Sequence, residues 1–162
     1  MGNEKTVRIG IIGCGGIANG KHMPSLRQIP GVQMVAFCDI IEERARKAKQ
    51  DYGTPDAAVY TDYRKLLEDK TIDVVHVCTP NRAHSFITVD ALHAGKHVMC
   101  EKPAGVYTLQ VREMIAEADK HPELTFGMMF NQRTNCVYRK IKEPSARRCA
   151  VHEAGVPRRH VR

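Results

Sequence analysis

A β-branched run, Val7–Ile12, meets the hexapeptide Gly13-Cys14-Gly15-Gly16-Ile17-Ala18 with no residue between them. Few folds accommodate an apolar strand that ends in a GxGxxA pattern and then opens an amphipathic stretch. Gly13 permits a tight turn, Gly15 lets a phosphate approach the backbone, and Ala18 allows a helix to pack closely on the strand. Unpaired N–H groups at the start of that helix, aided by its dipole, favour an anion. The hexapeptide alone is a weak signal, and a purely structural strand-to-helix turn stays open beside a diphosphate cradle.

The rest of the chain supplies the context. Apolar runs recur at Val32–Cys38, 72–78, 97–100 and 124–130, bounded by Gly, Pro or Asp. Between them, 41–52, 62–69, His84–His93 and 106–120 read as helices, the last with Leu109, Met114, Ile115 and Ala118 as core positions. Such alternation predicts an α/β fold: a doubly wound, mostly parallel sheet with right-handed crossovers and helices on both faces, the Rossmann NAD(P)-binding fold. In such a sheet ligands sit beyond the carboxyl ends of the strands.

Asp39 closes the second strand, about twenty residues past the glycine loop, where a carboxylate accepts hydrogen bonds from the adenosine ribose. An N-cap for the helix starting near Ile41 is the other reading, and the two are compatible. A carboxylate there repels a 2′-phosphate by about 4 kcal/mol per charge pair at about 4 Å and an effective dielectric near 20. NAD is therefore expected over NADP, although Arg44 is placed to swing toward a phosphate. Two further segments follow strands: Cys78-Thr79-Pro80-Asn81, with His84 beyond it, and Cys100-Glu101-Lys102-Pro103. Both are expected at the nicotinamide end of the crevice.

GCGGIA, the TPN…H segment and above all AGKHVMCEKP, in this order, resemble the Gfo/Idh/MocA oxidoreductases, the glucose–fructose oxidoreductase and inositol dehydrogenase group. The resemblance covers about 6–143, and Asn131-Gln132-Arg133 with Tyr138-Arg139-Lys140 is similar to the segment that leaves the Rossmann domain in that family. It implies that Gly13, Gly15, Gly16 and Ile17 hold the pyrophosphate and Asp39 the adenosine ribose. Thr79, Pro80, Asn81 and His84 would border the nicotinamide, and Glu101 its ribose. Lys102 would reach the substrate hydroxyl, aimed by a cis or strained Pro103. The implied chemistry is hydride transfer between nicotinamide C4 and a carbinol carbon of a sugar or polyol, with Lys102 and His84 as catalytic residues. An ammonium beside a developing alkoxide stabilises it and relays its proton, and burial would lower the Lys102 pKa toward the working range. A surface role for Lys102 and a local hydrogen-bonding role for His84 remain the alternatives.

Composition narrows the function classes. Of the net charge of +7, +4 lies in 145–162, which holds five arginines and one glutamate, so the basic character belongs largely to the tail. With 6% aromatics and no Trp, nucleic-acid binding is not expected. No stretch approaches the roughly 18 apolar residues of a membrane span. The polar start does not read as a signal peptide, and six cysteines without CxxC spacing fit a reduced, cytoplasmic protein. Cys14, Cys38, Cys78 and Cys100 near strand ends read as small apolar fillers rather than metal ligands. His22, His76, His93, His97 and His121 carry no ligand spacing, so no metal is expected. The domain reading is a Rossmann unit over 1–143 and an irregular basic tail over 144–162, with the α+β domain of the family absent, as in a truncated or frame-shifted product, with a natural single-domain protein as the rival explanation. On that reading NAD binding is weak and turnover slight, and an oligomer lacks its usual family interface. A non-catalytic NAD-sensing module is the alternative function.

Overall fold

The structure, a computed structural model, describes residues 6–142. Six parallel strands form one sheet in the order β3-β2-β1-β4-β5-β6: β1 Val7–Ile12, β2 Val32–Cys38, β3 Ala58–Tyr60, β4 Val74–Val77, β5 His97–Glu101 and β6 Phe126–Met129. The order reverses between β1 and β4, which makes this the doubly wound topology expected, with its switch point at the end of β1. The helices are α1 Met23–Leu26, α2 Glu42–Tyr52, α3 Tyr63–Glu68, α4 His84–His93 and α5 Thr108–Lys120.

Each face of the sheet buries its own apolar cluster. Met34 and Phe37 pack with Met23 of α1 and Ala45 and Ala48 of α2. Val75 and Val98 pack with Leu66 of α3, Ile87 and Leu92 of α4 and Met114 of α5. Burial on both faces is why these strands read as continuous apolar runs without polar alternation.

Four local differences from the sequence reading have physical causes. The three-residue edge strand β3 is too short to leave a periodic signal. The 72–78 and 124–130 runs overstate β4 and β6, whose paired residues are only Val74–Val77 and Phe126–Met129 because the backbone leaves extended geometry at each end. On α5, Leu109 and Ile115 are exposed; the inward stripe runs through Val111, Met114, Glu117 and Ala118, the 3.6-residue spacing that 109 and 115 miss. Finally, the compact unit carrying the sheet ends at Met129, and Phe130 opens a second unit, so the sheet domain is shorter than 1–143. The described part of the second unit holds a 3-10 turn, Asn131–Arg133, and a helix over 136–142. The basic 144–162 segment lies outside the described residues. Among the described residues no helix is long and apolar enough to cross a membrane.

Candidate cofactor-binding site

The chain leaves β1 at Gly13, whose φ of +93° suits glycine. A Cβ there would lie 2.7 Å from the carbonyl carbon and oxygen of Cys78, so the end of β4 also demands a residue without a side chain. At Gly15 and Gly16 a Cβ would meet open space, and among the described residues their amides have no partner. Asn19 shapes the loop from the helix side, its Nδ2 donating to the carbonyls of Cys14 (2.6 Å) and Gly15 (3.0 Å). Ala18, fully buried, brings the helix onto the sheet as its small size suggests. The helix itself is irregular: Ala18–His22 is a π-turn closed by the Met23 amide on the Ala18 carbonyl. Pro24 follows and lacks the N–H that would continue a regular ladder.

A cleft of about 520 Å³ opens beyond β1, β2 and β4, within the range of small-molecule sites. Its lining includes Gly13, Gly15, Gly16, Ile17, Asp39, Thr79 and Pro80, so seven of the expected residues converge. Ile40 and Phe86, both substantially exposed, add apolar wall. Thr79 Oγ1 is buried with no partner among the described residues.

Asp39 is 8% exposed and already engaged. Its Oδ2 accepts from the Cys14 amide and its Oδ1 from the Ile41 amide, both at 2.9 Å. The Cys14 amide is thereby removed from any anion cradle, which falls to Gly15 and Gly16. Each carboxylate oxygen keeps further acceptor capacity. Asp62 lines the same cleft and also caps α3 by accepting from the Arg64 amide (3.0 Å). Nothing local in the sequence gives Asp62 a place in the site, because the start of α3 comes beside the end of β2 only in the folded sheet. Arg44 lines the cleft as well, while Arg64 lies 4.7 Å over the Tyr63 ring. The cysteines here stay protonated: burial first, then Asp39, pushes Cys14 and Cys38 each up to about 12.

The remaining expected residues, Asn81, His84, Glu101 and Lys102, do not line this cleft. His84 is buried, with Nδ1 2.7 Å from the Pro103 carbonyl and Nε2 2.7 Å from the Thr79 carbonyl. Both ring nitrogens are spent on main-chain oxygens, so His84 ties the ends of β4 and β5 together and has no nitrogen left for a substrate. Glu101 is buried too, its Oε1 2.6 Å from His22 Nε2 and its Oε2 accepting from the Lys102 amide (2.9 Å). Lys102 is exposed, contrary to the burial expected of it, and the Lys102–Pro103 peptide is cis. Lys96, in the AGKHV segment, is the lysine that is buried: its Nζ donates to the carbonyls of Asp69 (2.6 Å) and Ile72 (2.9 Å).

His22 and His76, given no role from the sequence, lie together beside Glu101. Their ring centroids are 4.3 Å apart, and Cys78 joins them. Burial, with the His22 ring adding to it, pushes His76 down to about 3; burial, then Glu101, pushes the Cys78 thiol up. Fifty-four residues separate His22 from His76, and no spacing rule in the sequence connects them.

The sequence pattern described as "Oxidoreductase family, NAD-binding Rossmann fold" matches residues 7–128, the extent of the sheet domain. Inositol 2-dehydrogenase of Salmonella typhimurium is 34% identical over 137 residues, which cover 85% of this chain and 40% of that protein. Scyllo-inositol dehydrogenase from Lactobacillus casei, solved with bound NAD(H) and scyllo-inositol, superposes with a TM-score of 0.79 at 27% identity, covering 88% of this chain and 42% of that one. A 3-ketoreductase from Actinomadura kijaniata, solved with NADP and TDP-benzene, does so with a TM-score of 0.77 at 28% identity, covering 85% of this chain and 41% of that one. The chain thus spans about 40% of the length of the curated relative it matches. A glycine loop at the β1–β4 switch point, a carboxylate closing β2, a Glu-Lys-Pro segment closing β5 and a match along the whole sheet domain lead to one family: this chain belongs to the Gfo/Idh/MocA oxidoreductases.

Proposed function

We propose that this chain supplies the NAD-binding domain of an oxidoreductase acting on a hydroxyl carbon of a sugar, polyol or related compound. The observation that carries the reading is the cleft itself: two unpartnered glycine amides at one end of a turn whose other end is held by a buried carboxylate. The diphosphate would rest on the Gly15 and Gly16 amides, beside Ile17, and Asp39 would share its remaining lone pairs with the adenosine ribose. Thr79 Oγ1 offers a further polar contact, and Pro80 and Asn81 would border the nicotinamide side. Asp39 and Asp62 together place two negative charges where a 2′-phosphate would enter, which favours NAD over NADP despite Arg44.

When bound, the nicotinamide accepts or returns the hydride. Lys102 would hold or take the proton of the substrate hydroxyl, and its Nζ is accessible for that role. Glu101 would set the Lys102 backbone through the 2.9 Å bond to its amide. We assign His84 as a positioning residue, through its two carbonyl contacts. A reducing, cytoplasmic setting completes the reading and is supported by the four buried free thiols Cys14, Cys38, Cys78 and Cys100.

Calorimetric titration of the purified chain tests the reading. NAD is expected to bind at least about tenfold more tightly than NADP, the ratio that 1.4 kcal/mol supplies. Lys102→Ala is expected to leave NAD affinity unchanged. Equal or tighter NADP binding would overturn the cofactor assignment, and no binding of either would overturn the site.

A further inference from the structure

Where the end of β4 meets the π-turn, beside the cleft that Cys78 itself helps to line, the chain brings together a side-chain set that the NAD-binding reading does not use. His22 ends the π-turn, His76 sits inside β4, and Cys78 follows the last residue of that strand. They are 7%, 3% and 6% exposed, and one potential ligand atom from each lies within 4.8 Å of the other two. We propose that His22, His76 and Cys78 form a buried site for a borderline-soft divalent cation of the zinc class, with Glu101 as the carboxylate that orients the His22 ring.

The unpartnered atom is the strongest argument. His76 stands in a strand otherwise made of valines, and its Nε2 is buried with no hydrogen-bond partner among the described residues. An orphaned buried polar group carries a desolvation cost that an apolar side chain at this place would not. The donor set is the second argument. Two imidazoles and a thiolate match the ligands zinc takes in tetrahedral sites, whereas magnesium and calcium require oxygen donors. Tetrahedral zinc with these donors holds its ligand atoms about 3.5 Å apart, so closure from 4.8 Å requires only small side-chain rotations. The third argument is support around the ligands. A histidine that ligates a metal through one ring nitrogen commonly gives the other to a carboxylate, and Glu101 Oε1 lies 2.6 Å from His22 Nε2. Charge then balances: the thiol proton leaves to the buffer, and the thiolate with the Glu101 carboxylate offsets a dication. A bound ion would link the glycine-loop helix to the end of β4, next to Gly13, independently of any cofactor.

The test uses the full chain, reduced and stripped of metal, titrated with Co²⁺ and then Zn²⁺. One equivalent of Co²⁺ is expected to produce a near-ultraviolet thiolate-to-cobalt band and intense visible bands of a tetrahedral ion, both displaced by Zn²⁺. Cys78→Ser is expected to remove the thiolate band and His76→Val to abolish tetrahedral binding. A Cys136→Ser, Cys149→Ser double variant should retain both. Absence of the thiolate band in the wild-type chain, or its survival in Cys78→Ser, overturns the proposal. Should a variant fail to fold by circular dichroism, X-ray absorption on the zinc-loaded wild-type chain decides. One sulfur with two imidazole nitrogens supports the site, and a shell lacking sulfur or holding two sulfurs overturns it.

Discussion

Gly13 is the residue whose identity is most tightly determined, because conformation and space act together. Its positive φ disfavours any side chain, and the Cys78 carbonyl group occupies the place a Cβ would take. Gly13→Ala is expected to cost about 2–4 kcal/mol, from the strained backbone and the displaced β4 end, and to abolish NAD binding. Urea unfolding and a cofactor titration would measure the two losses. Gly13 and Asp39 were legible in the sequence because their roles depend on local order: strand, turn, helix, strand, acid. The pairing of His22 with Glu101 was not, since the partners are 79 residues apart and meet only when β1 and β4 have been laid beside β5. His84 was legible as a residue just beyond the end of β4, but its contacts were not. Whether a ring nitrogen faces a substrate or a carbonyl is settled by packing, which one sequence does not display.

Among the elements, α5 shows how a polar residue can occupy a core-facing position. Glu117 is buried on the inward stripe of α5, and it is met by three groups: His93 Nε2 from α4 at 2.7 Å, Lys120 Nζ at 2.9 Å and His121 Nε2 at 3.1 Å. The Lys120 hydrogen bond first, opposed by some desolvation and helped by His93, holds the Glu117 carboxyl below its ordinary value of 4.5. A carboxylate with a lowered folded-state pKa contributes stability that is fully present above the unfolded value. That stability fades as pH falls through and below it. Glu117→Gln is therefore expected to be less stable than wild type at pH 7. The difference should shrink steadily below about pH 4.5, as read by thermal melts across pH. A helix-period reading of α5 favoured Leu109 and Ile115 because it sought apolar residues, and the true stripe includes an acid that the sequence makes look solvated.

At the scale of the molecule, all six strands and both apolar clusters lie within residues 7–129. The boundary before Phe130 separates that unit from the one that follows. A fragment of residues 1–129 is therefore expected to fold with an unchanged melting temperature, within about 2 °C, and to keep the NAD affinity of the full chain; calorimetry on both would check it. The doubly wound order was legible because strands buried on both faces must be apolar throughout and helices must cross between them. The end of the unit was not. The stretch after β6 continues with mixed apolar and basic residues, and composition changes abruptly only near Pro144, well past the structural boundary.

Asp39 holds the loop in shape before any ligand arrives, one oxygen toward the turn and one toward the start of α2. Anyone redesigning this domain to use a phosphorylated cofactor therefore faces a scaffold problem as well as a charge problem. Exchanging Asp39 for a neutral or basic side chain removes the repulsion and the brace in one step. Asp62, whose amide contact caps only the six-residue helix α3, is the acid that can be surrendered first.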